Sequence, residues 1–404
     1  MRIIQINQPQ ELKDIMQEIK VDPYGIKIMA PKAAMHLVHL DAISNITANI
    51  LKQEMLSLGG DVAVARDALT GRTKKTDCLL MGSLSQFQRL KVKLQRQPFG
   101  LNKLAEDLCH SLANYQKDNF MLNLGRYKLH LGKRTFIMGI INLTPDSFSG
   151  DGFYASTVGS RPSADIIEFV ERIVKDGADI IDLGGESSRP GAKPVSIKEE
   201  LKRTIPVIKL LAKKIKIPIS IDTYKPEVAR EALNNGAVMV NDITALKNPK
   251  MAKIVSQYKA GVVLMHMKGK PRTMQKNPVY KHLISEIIQY LDQAINRALC
   301  AGIQRDKIII DPGIGFGKAL EHNLEILKRL KEFKILGQPI LVGPSRKSFI
   351  GKILNVKPQE RLFGTVSACV LAAGNGANIL RAHDVKEVSE ALKVRDSINN
   401  ICTY

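Results

Sequence analysis

From residue 136 onward, short apolar runs alternate with longer stretches in which apolar residues recur at helical spacing. Such runs are typical of buried strands, and the stretches between them predict amphipathic helices. The predicted strands occupy residues 136–141, 179–183, 218–221, 238–240, 261–265, 307–310, 339–342 and 378–380. The helices predicted to follow them occupy residues 163–175, 197–213, 226–235, 249–258, 283–301, 320–333, 359–374 and 385–398. Because strands that alternate with helices pair in parallel, the pattern predicts a parallel sheet covered by helices.

Eight strand–helix units in roughly 270 residues predict a (β/α)8 TIM barrel, a fold that typically takes about 250 residues. The alternative is a doubly wound sheet, in which a Gly-x-Gly-x-x-Gly turn follows the first strand. Here the first strand runs into Asn142-Leu143-Thr144-Pro145 instead. The barrel is therefore the favoured α/β architecture.

The first 130 residues do not extend the eightfold pattern. They predict strands at 26–29, 62–65 and 78–81 and helices at 33–58, 84–94 and 101–112. A polar, turn-rich segment at 115–134 follows, so we place a small N-terminal α/β domain at 1–130 and the barrel at 131–404. His36 and His39, with Asp41 nearby, are interpreted as surface residues of the predicted helix, because no third metal ligand follows at a suitable spacing.

The charge of the chain invites a nucleic-acid interpretation, since 60 Lys and Arg oppose 39 Asp and Glu for a net charge of +21. The excess is spread along the chain without a basic block. Aromatic residues make up 5% and Trp is absent, so base-stacking platforms are not indicated. We therefore expect anionic small molecules rather than nucleic acid as partners.

Cysteine spacing and hydropathy bear on the compartment. The five Cys include no Cys-x-x-Cys pair, the first residues lack the apolar core of a signal peptide, and no apolar run of about 18 residues occurs. These features predict a reduced, cytoplasmic protein without a membrane partner.

Polar residues cluster just after the predicted barrel strands, where (β/α)8 enzymes place their active sites. Asp222, Asn241 and Asp311 end three strands and offer two carboxylates and an amide, which suits a flat heterocycle such as a pterin or a purine. Met265 and Phe316 could pack on such a ring. The structural alternative is a hydrogen-bonded barrel mouth with no ligand.

A second group predicts an anion site. Asn142, Arg381 and His383 follow the first and last strands, which become neighbours when a barrel closes, and Arg346 and Lys347 add charge from the strand before. The Gly-rich run 313–318 only superficially resembles a phosphate-binding P-loop, because it has three residues between its outer glycines and Ala319 in place of Ser or Thr.

Eight segments in order resemble the signatures of the dihydropteroate synthases, and the resemblance covers roughly residues 133–400. The segments lie at 138–149, 185–191, 221–228, 241–243, 264–267, 311–318, 345–348 and 381–384. The resemblance implies a pterin-binding barrel of folate biosynthesis that joins 6-hydroxymethyl-7,8-dihydropterin pyrophosphate to 4-aminobenzoate and releases pyrophosphate. It also implies Mg²⁺, a homodimer and an aminobenzoate site that admits sulfonamides.

The resemblance further implies a role for each matched residue. Pterin would contact Asp222, Asn241, Met265, Asp311, Phe316 and Lys347. Pyrophosphate would contact Asn142, Ser188, Arg381 and His383, with Asn142 near the magnesium ion. The aminobenzoate would contact Phe148, Arg189, Pro190 and Ser348. Asp222, Lys347, Arg381 and His383 are the catalytic candidates. Gly150 lengthens the first loop relative to the family pattern.

Two other functions remain open at this point. A methyltransferase of the same barrel family would share the Asp and Asn pterin pocket but would not need the Arg381 and His383 anion site. A catalytically silent barrel that binds RNA through its charge would bind in a strongly salt-dependent manner without pterin-dependent activity.

Overall fold

A computed structural model describes residues 1–4, 6, 9–144, 164–187, 194–269 and 273–399. The chain forms two compact units, one comprising Met1–Gln116 and the other Lys117–Ile401. Each unit has a hydrophobic core of its own. None of the helices in these described ranges is long and apolar enough to cross a membrane.

The N-terminal unit combines an antiparallel sheet with helices. Its helices are α1 (Pro9–Glu18), α2 (Pro23–Ala33), α3 (Asn45–Leu56), α4 (Arg66–Leu69), α5 (Leu84–Leu94) and α6 (Leu101–Tyr115). Its strands are β1 (Met35–Ser44), β2 (Asp61–Val64) and β3 (Lys75–Ser83), in the order β1-β3-β2. The predicted strands near residues 62 and 78 and the helices that begin at Leu84 and Leu101 are confirmed.

Two predictions for the start of this unit are wrong. The strand predicted at 26–29 lies inside α2, which Asp22 caps by accepting hydrogen bonds from two backbone N–H groups. The helix predicted at 33–58 is the strand β1 followed by α3, with Ser44 as the cap between them. Alternate β1 residues pack inward, so the period of two outweighs the helical spacing.

His36 and His39 therefore lie on a strand rather than on a helix. Pairing of β1 with β3 brings Asp77 close to His39 and Asp41, all three of them exposed, with potential ligand atoms within 4.8 Å of one another. The sequence spacing gave no indication of Asp77 because it is contributed by another strand.

The second unit is a barrel with a hairpin. Its strands are β4 (Phe120–Leu124), β5 (Tyr127–Leu131), β6 (Phe136–Asn142), β7 (Ile180–Gly184), β8 (Ile219–Asp222), β9 (Met239–Asp242), β10 (Gly261–Met265), β11 (Ile308–Asp311), β12 (Leu341–Val342) and β13 (Ile379–Ala382). Its helices are α7 (Ala164–Lys175), α8 (Ile197–Lys214), α9 (Pro226–Asn234), α10 (Pro249–Gln257), α11 (Leu283–Cys300), α12 (Leu320–Lys328), α13 (Ser348–Leu354), α14 (Leu362–Gly374) and α15 (Val385–Asn399).

The eight parallel strands β6–β13 close into a barrel, as predicted. Their order is β11-β10-β9-β8-β7-β6-β13-β12, and a parallel bridge between Ile310 and Ile340 joins the two ends. Outward residues of the strands pack under the helices, for example Ile181 and Leu183 of β7. Three helical details differ: α13 was not predicted, α12 continues as a 3-10 helix at Leu330–Leu336, and α14 begins at Leu362.

The hairpin of β4 and β5 changes the predicted domain boundary. Phe120, Leu122, Leu124 and Leu131 form one apolar cluster with the first inward residues of the barrel strands. The hairpin thus closes the N-terminal end of the barrel, and the division lies at residue 116 rather than at 130. Polar residues between the apolar ones made this segment look like a linker, although its buried positions alternate as in a strand.

Candidate active site

The opposite, C-terminal end of the barrel gathers the predicted site residues. Side chains alternate along a strand, so the inward positions near the strand ends face a common space. Asn142, Asp222, Met265 and Asp311 are the last residues of their strands. Asn241 and Arg381 each lie one residue before the end of theirs.

A charged network spans this mouth. Arg381 donates through Nη2 to Asp222 Oδ2 at 2.8 Å and through Nε to Asp182 Oδ2 at 2.6 Å. Asn241 Nδ2 donates to the same Asp182 oxygen at 3.0 Å. The structure therefore links Asp222 and Asn241, from the predicted pterin set, with Arg381, from the predicted pyrophosphate set.

The carboxyl group of Asp222 is difficult to ionise. Burial raises the pKa of Asp222 to about 7, the positive charge of Arg381 opposes this shift, and the negative charge of Asp182 adds to it. A carboxyl group whose pKa lies near neutrality at a barrel mouth is typical of a functional site.

Asp311, Phe316 and Lys347 form the neighbouring wall. Burial raises the pKa of Asp311 to about 6, while its Oδ1 accepts a 2.7 Å hydrogen bond from Gly313 N, which favours the ionised form. Lys347 Nζ lies 4.4 Å from the centroid of the Phe316 ring, a cation–π arrangement. Phe316 and Met265 belong to one small apolar cluster, so a flat ring could stack here beside charged groups.

The glycines of the run 313–318 serve loop packing. Gly313 and Gly317 both have positive φ, and a Cβ on them would lie 2.0 Å from His266 O and 2.3 Å from Lys268 O. The loop after β11 therefore runs directly against the backbone of the loop after β10. This close approach accounts for the glycines without any P-loop role.

Lys318, at the end of that run, is buried with a histidine. Its Nζ lies 2.9 Å from His266 Nδ1 and 3.1 Å from Phe316 O. Burial lowers the pKa of Lys318 to about 7, and burial together with the Lys318 charge holds the pKa of His266 far below its usual value. His266 is thus a neutral acceptor that ties the two loops together.

The predicted anion site lies at the junction of β6, β13 and the loop after β12. Asn142 Nδ2 lies 3.4 Å from His383 Nε2, and Ser345 Oγ lies 3.1 Å from His383 Nδ1. Arg346 forms a two-pronged ion pair with Asp384. The charge that Arg346 was expected to add is therefore balanced by Asp384.

Lys225 forms ion pairs with Glu186, which follows β7, and with Glu200 of α8. Lys225 Nζ donates at 2.5 Å to both Glu186 Oε2 and Glu200 Oε2, and it donates at 2.6 Å to Val195 O. Val195 N donates back to Glu186 at 3.1 Å. These hydrogen bonds connect Glu186, just after β7, with Val195, shortly before α8.

Of the predicted aminobenzoate residues, the structure describes only Ser348. Ser348 is exposed and begins α13, directly after Lys347. Phe148, Ser188, Arg189 and Pro190 lie outside the described residues, as does Gly150. Their predicted aminobenzoate and pyrophosphate contacts stay predictions.

Asp182 is the site residue that the sequence analysis missed. Its side chain is fully buried, on the same inward face of β7 as Ile180. A signal was present: an acidic residue at an inward position of an apolar strand needs polar partners inside the barrel. The run Ile180-Ile181-Asp182-Leu183 was interpreted only as a strand.

Comparison with known proteins agrees with this geometry. The family model described as "Pterin binding enzyme" matches residues 138–383. The chain belongs to the pterin-binding enzyme family. The prediction of a pterin-binding barrel is thereby confirmed, and the relatives described next confirm the prediction of dihydropteroate synthase function in folate biosynthesis.

Individual members of the pterin-binding family extend the match. A dihydropteroate synthase of Synechocystis is 48% identical over 279 residues, which are 69% of this chain and 94% of that protein. Solved dihydropteroate synthases from Yersinia pestis, with a sulfonamide drug, and from Xanthomonas albilineans, with 4-aminobenzoic acid, each give a TM-score of 0.64. The Yersinia pestis enzyme is 41% identical to this chain, and the match covers 69% of this chain and 99% of that one. The Xanthomonas albilineans enzyme is 39% identical, and the match covers 70% of this chain and 99% of that one.

One relative also matches the N-terminal unit. A probable bifunctional folylpolyglutamate synthase/dihydropteroate synthase of Halobacterium salinarum is 37% identical over 393 residues. The match covers 97% of this chain and 46% of that protein. The N-terminal unit therefore has a counterpart within the pterin-binding family, whereas the Synechocystis match covers only 69% of this chain.

Proposed function

We propose that the barrel mouth holds 6-hydroxymethyl-7,8-dihydropterin pyrophosphate, with its ring between Met265 and Phe316 and its polar edge on Asp222, Asn241 and Asp311. Carboxylates accept hydrogen bonds from the amino and N–H groups of a pterin. Lys347 supplies a donor for the ring oxygen. The observation that carries this proposal is one hydrogen-bonded network at the mouth. It joins residues suited to a heterocycle to a cation suited to an anion, and its members are Arg381, Asp222, Asp182 and Asn241.

The diphosphate would lie toward Arg381, His383 and Asn142. The bond between the pterin methylene carbon and the diphosphate oxygen breaks, and the electron pair leaves with the diphosphate. Cationic and N–H donors that already face this oxygen lower the barrier because they stabilise the charge that develops there. Arg381, anchored on Asp182, is held in place before the reaction starts.

Magnesium fits this corner. The Asn142 Nδ2 atom faces His383, which leaves its oxygen available as a hard ligand. Mg²⁺ commonly takes one or two protein oxygens and completes its shell with phosphate oxygens and water. When bound, it would supply further neutralisation of the diphosphate charge, and Asn142 would hold it.

The aminobenzoate would enter beside Ser348, with Phe148, Arg189 and Pro190 around it by family resemblance. Its amine attacks the methylene carbon, the C–N bond forms, and the amine proton passes to solvent. An aryl amine is already neutral at pH 7, so a strong general base is not required for this step.

A homodimer is proposed through α14 and α15, which pack against each other. Phe363 and Leu371 lie eight residues apart on one stripe of α14 and are 83% and 53% exposed, and Val394 and Ile398 of α15 are similarly exposed. Apolar patches of this kind mark protein interfaces. Sedimentation velocity at micromolar concentration should give a dimer that Phe363→Glu dissociates, and a monomeric parent protein would contradict the proposal.

Cytoplasmic location is proposed on the state of the cysteines. Cys78, Cys109, Cys300 and Cys369 are free in the described residues, as in a reducing compartment. Fractionation of expressing cells, followed by immunodetection, tests this location.

The activity is tested by incubating the protein with the pterin pyrophosphate, radiolabelled 4-aminobenzoate and Mg²⁺ and by measuring labelled 7,8-dihydropteroate. Product should accumulate with release of one pyrophosphate per turnover, and Asp222→Asn should lower kcat/KM for its formation about 100-fold. A folded protein, verified by circular dichroism, that makes no product would overturn the proposal. The methyltransferase alternative is less well supported, because a methyltransferase would have no use for the predicted anion site at Arg381 and His383.

A further inference from the structure

We propose that Asp182 is a positioning residue that fixes the orientation of the Asn241 amide, so that Asn241 presents its oxygen to the pterin. Asp182 lies below the ring-binding positions, is fully buried, and accepts hydrogen bonds from Asn241 and Arg381. This role rests on the proposed pterin site. It explains why that site would select a ligand that presents hydrogen-bond donors.

The orientation follows from hydrogen-bond chemistry. A carboxylate that pairs with a guanidinium can only accept hydrogen bonds, so the end of the Asn241 amide that faces it must be the NH2 group. The two ends of an amide lie on opposite sides of its carbon, so the Asn241 oxygen is turned away from Asp182. Asn241 is 5% exposed, which leaves the amide little freedom to turn over.

The small residue Ser220 makes the contact between Asp182 and Asn241 possible. The two residues lie on β7 and β9, and β8 runs between these strands. The β8 residue in register with Asp182 is Ser220, which is fully buried on the same inward face as Asp222. Its short side chain leaves room for Asp182 to reach Asn241 across the strand.

The consequence is a pocket edge made of acceptors. Asn241 offers an oxygen, and Asp222 and Asp311 offer carboxylates when they are ionised. Such an edge selects a heterocycle whose facing atoms are N–H and NH2 donors. It rejects an analogue that places a carbonyl oxygen there, because two acceptors would then face each other in a buried site.

The test measures specificity rather than activity alone. Dissociation constants are determined by calorimetry for 6-hydroxymethylpterin and for the corresponding lumazine, in which the 2-amino donor is replaced by an oxo acceptor. The parent protein should prefer the pterin by about tenfold or more. Asp182→Asn should reduce this ratio about tenfold, because the amide at 182 lets the Asn241 amide turn over.

A double-mutant cycle separates this role from a general structural one. In an Asn241→Ala background, Asp182→Asn should cause no further change in the pterin-to-lumazine ratio, because its effect on this ratio passes through Asn241, whereas its contact with Arg381 affects both ligands alike. A further fall of the ratio in this background, or an unchanged ratio in the single variant Asp182→Asn, would overturn the proposal. If Asp182→Asn does not fold, Asp182→Ser replaces it in the same cycle, because a hydroxyl can donate as well as accept and so no longer fixes the Asn241 amide.

Asp179→Asn is the matched control. Asp179 lies three residues earlier, at the other end of the barrel, and pairs with Arg134. This variant should leave both dissociation constants unchanged. A parent protein that binds no pterin would instead contradict the proposed function, so the two failures are distinguishable.

Discussion

The two ends of the barrel are built from the same strands but perform different tasks. In β7, β9, β11 and β13 an apolar inward residue is followed, two positions later, by a polar one: Ile180 and Asp182, Met239 and Asn241, Ile309 and Asp311, Ile379 and Arg381. The apolar members pack against the β4–β5 hairpin, and the polar members line the mouth. One step of two residues thus converts a stabilising layer into a binding layer.

The comparison teaches that stability and function can be changed separately here. At the base, a Cβ on Gly261 would lie 2.3 Å from Leu124 Cδ2, so the hairpin seats tightly on the strands. Lys307 Nζ donates to Asn123 O at 2.8 Å and adds a polar tie. At the mouth, buried carboxyl groups with raised pKa values are costly to ionise in the fold, as expected for groups retained for binding.

The largest effect is expected at the base. Leu124→Ala should lower the free energy of unfolding by about 2–5 kcal/mol, because it leaves a cavity among buried side chains. Chemical denaturation measures this loss. The kcat and KM of the folded fraction should match the parent enzyme, and a changed KM would contradict the separation of the two ends.

At the mouth, Asp222→Asn should lower kcat/KM about 100-fold, which corresponds to about 2.7 kcal/mol. The amide cannot replace a carboxylate that accepts hydrogen bonds from both the pterin and Arg381. The melting temperature should not fall, because burial makes the ionised carboxylate costly in the folded protein and the amide carries no charge. A large drop in melting temperature would show that Asp222 stabilises the fold.

The pH dependence of pterin binding provides a third test. Asp311 must be ionised to accept from the ring, and its pKa is raised to about 6, so its protonation alone should make the affinity about tenfold lower at pH 5 than above pH 7. Protonation of Asp222, whose pKa is raised to about 7, should add to this loss in the parent protein. Titration calorimetry across this range measures the effect. Asp311→Asn should weaken binding and reduce this dependence, and an unchanged pH profile in that variant would contradict the assignment.

The same group has the opposite effect on stability. Its raised pKa means that the folded protein binds a proton between about pH 4 and pH 6 that the unfolded chain releases. The contribution of Asp311 to the unfolding free energy therefore falls as the pH rises through this window. Chemical denaturation measures this effect. The unfolding free energy of the parent, relative to that of Asp311→Asn, should be higher at pH 4.5 than at pH 7.

The smallest effect is expected at the rim of the mouth. Glu186→Gln should raise the KM for 4-aminobenzoate about three- to tenfold. Glu186 accepts from Val195 N and Lys225 at Oε2 and from the Tyr224 hydroxyl at Oε1, and the NH2 group of Gln cannot accept at one of these two positions. The pterin dissociation constant should not change. Glu325→Gln, on the exposed surface of α12, is the control and should alter neither value. A weakened pterin affinity in Glu186→Gln would contradict a rim-specific role.

Much of the mouth could be predicted because its residues sit at fixed positions relative to periodic strands. Asp222, Asn241 and Asp311 each follow an apolar run, and the barrel rule places such residues together. Asp182 escaped notice because it lies within a run rather than after it. The sequence predicts a helix in place of the β1 strand because its apolar residues, such as Leu37 and Leu40, also satisfy helical spacing.

By itself the sequence determined the order of the barrel strands and of most of the helices between them, the closure of the barrel and the polar character of its C-terminal end, since each depends on local periodicity. Only the tertiary structure decided which groups meet. Arg381 and Asp182 are 199 residues apart, and Asn241 and Asp182 are 59 apart, yet each pair is hydrogen-bonded. Spacing along the chain carries no information on such contacts, because barrel closure and strand register set the distances between the side chains.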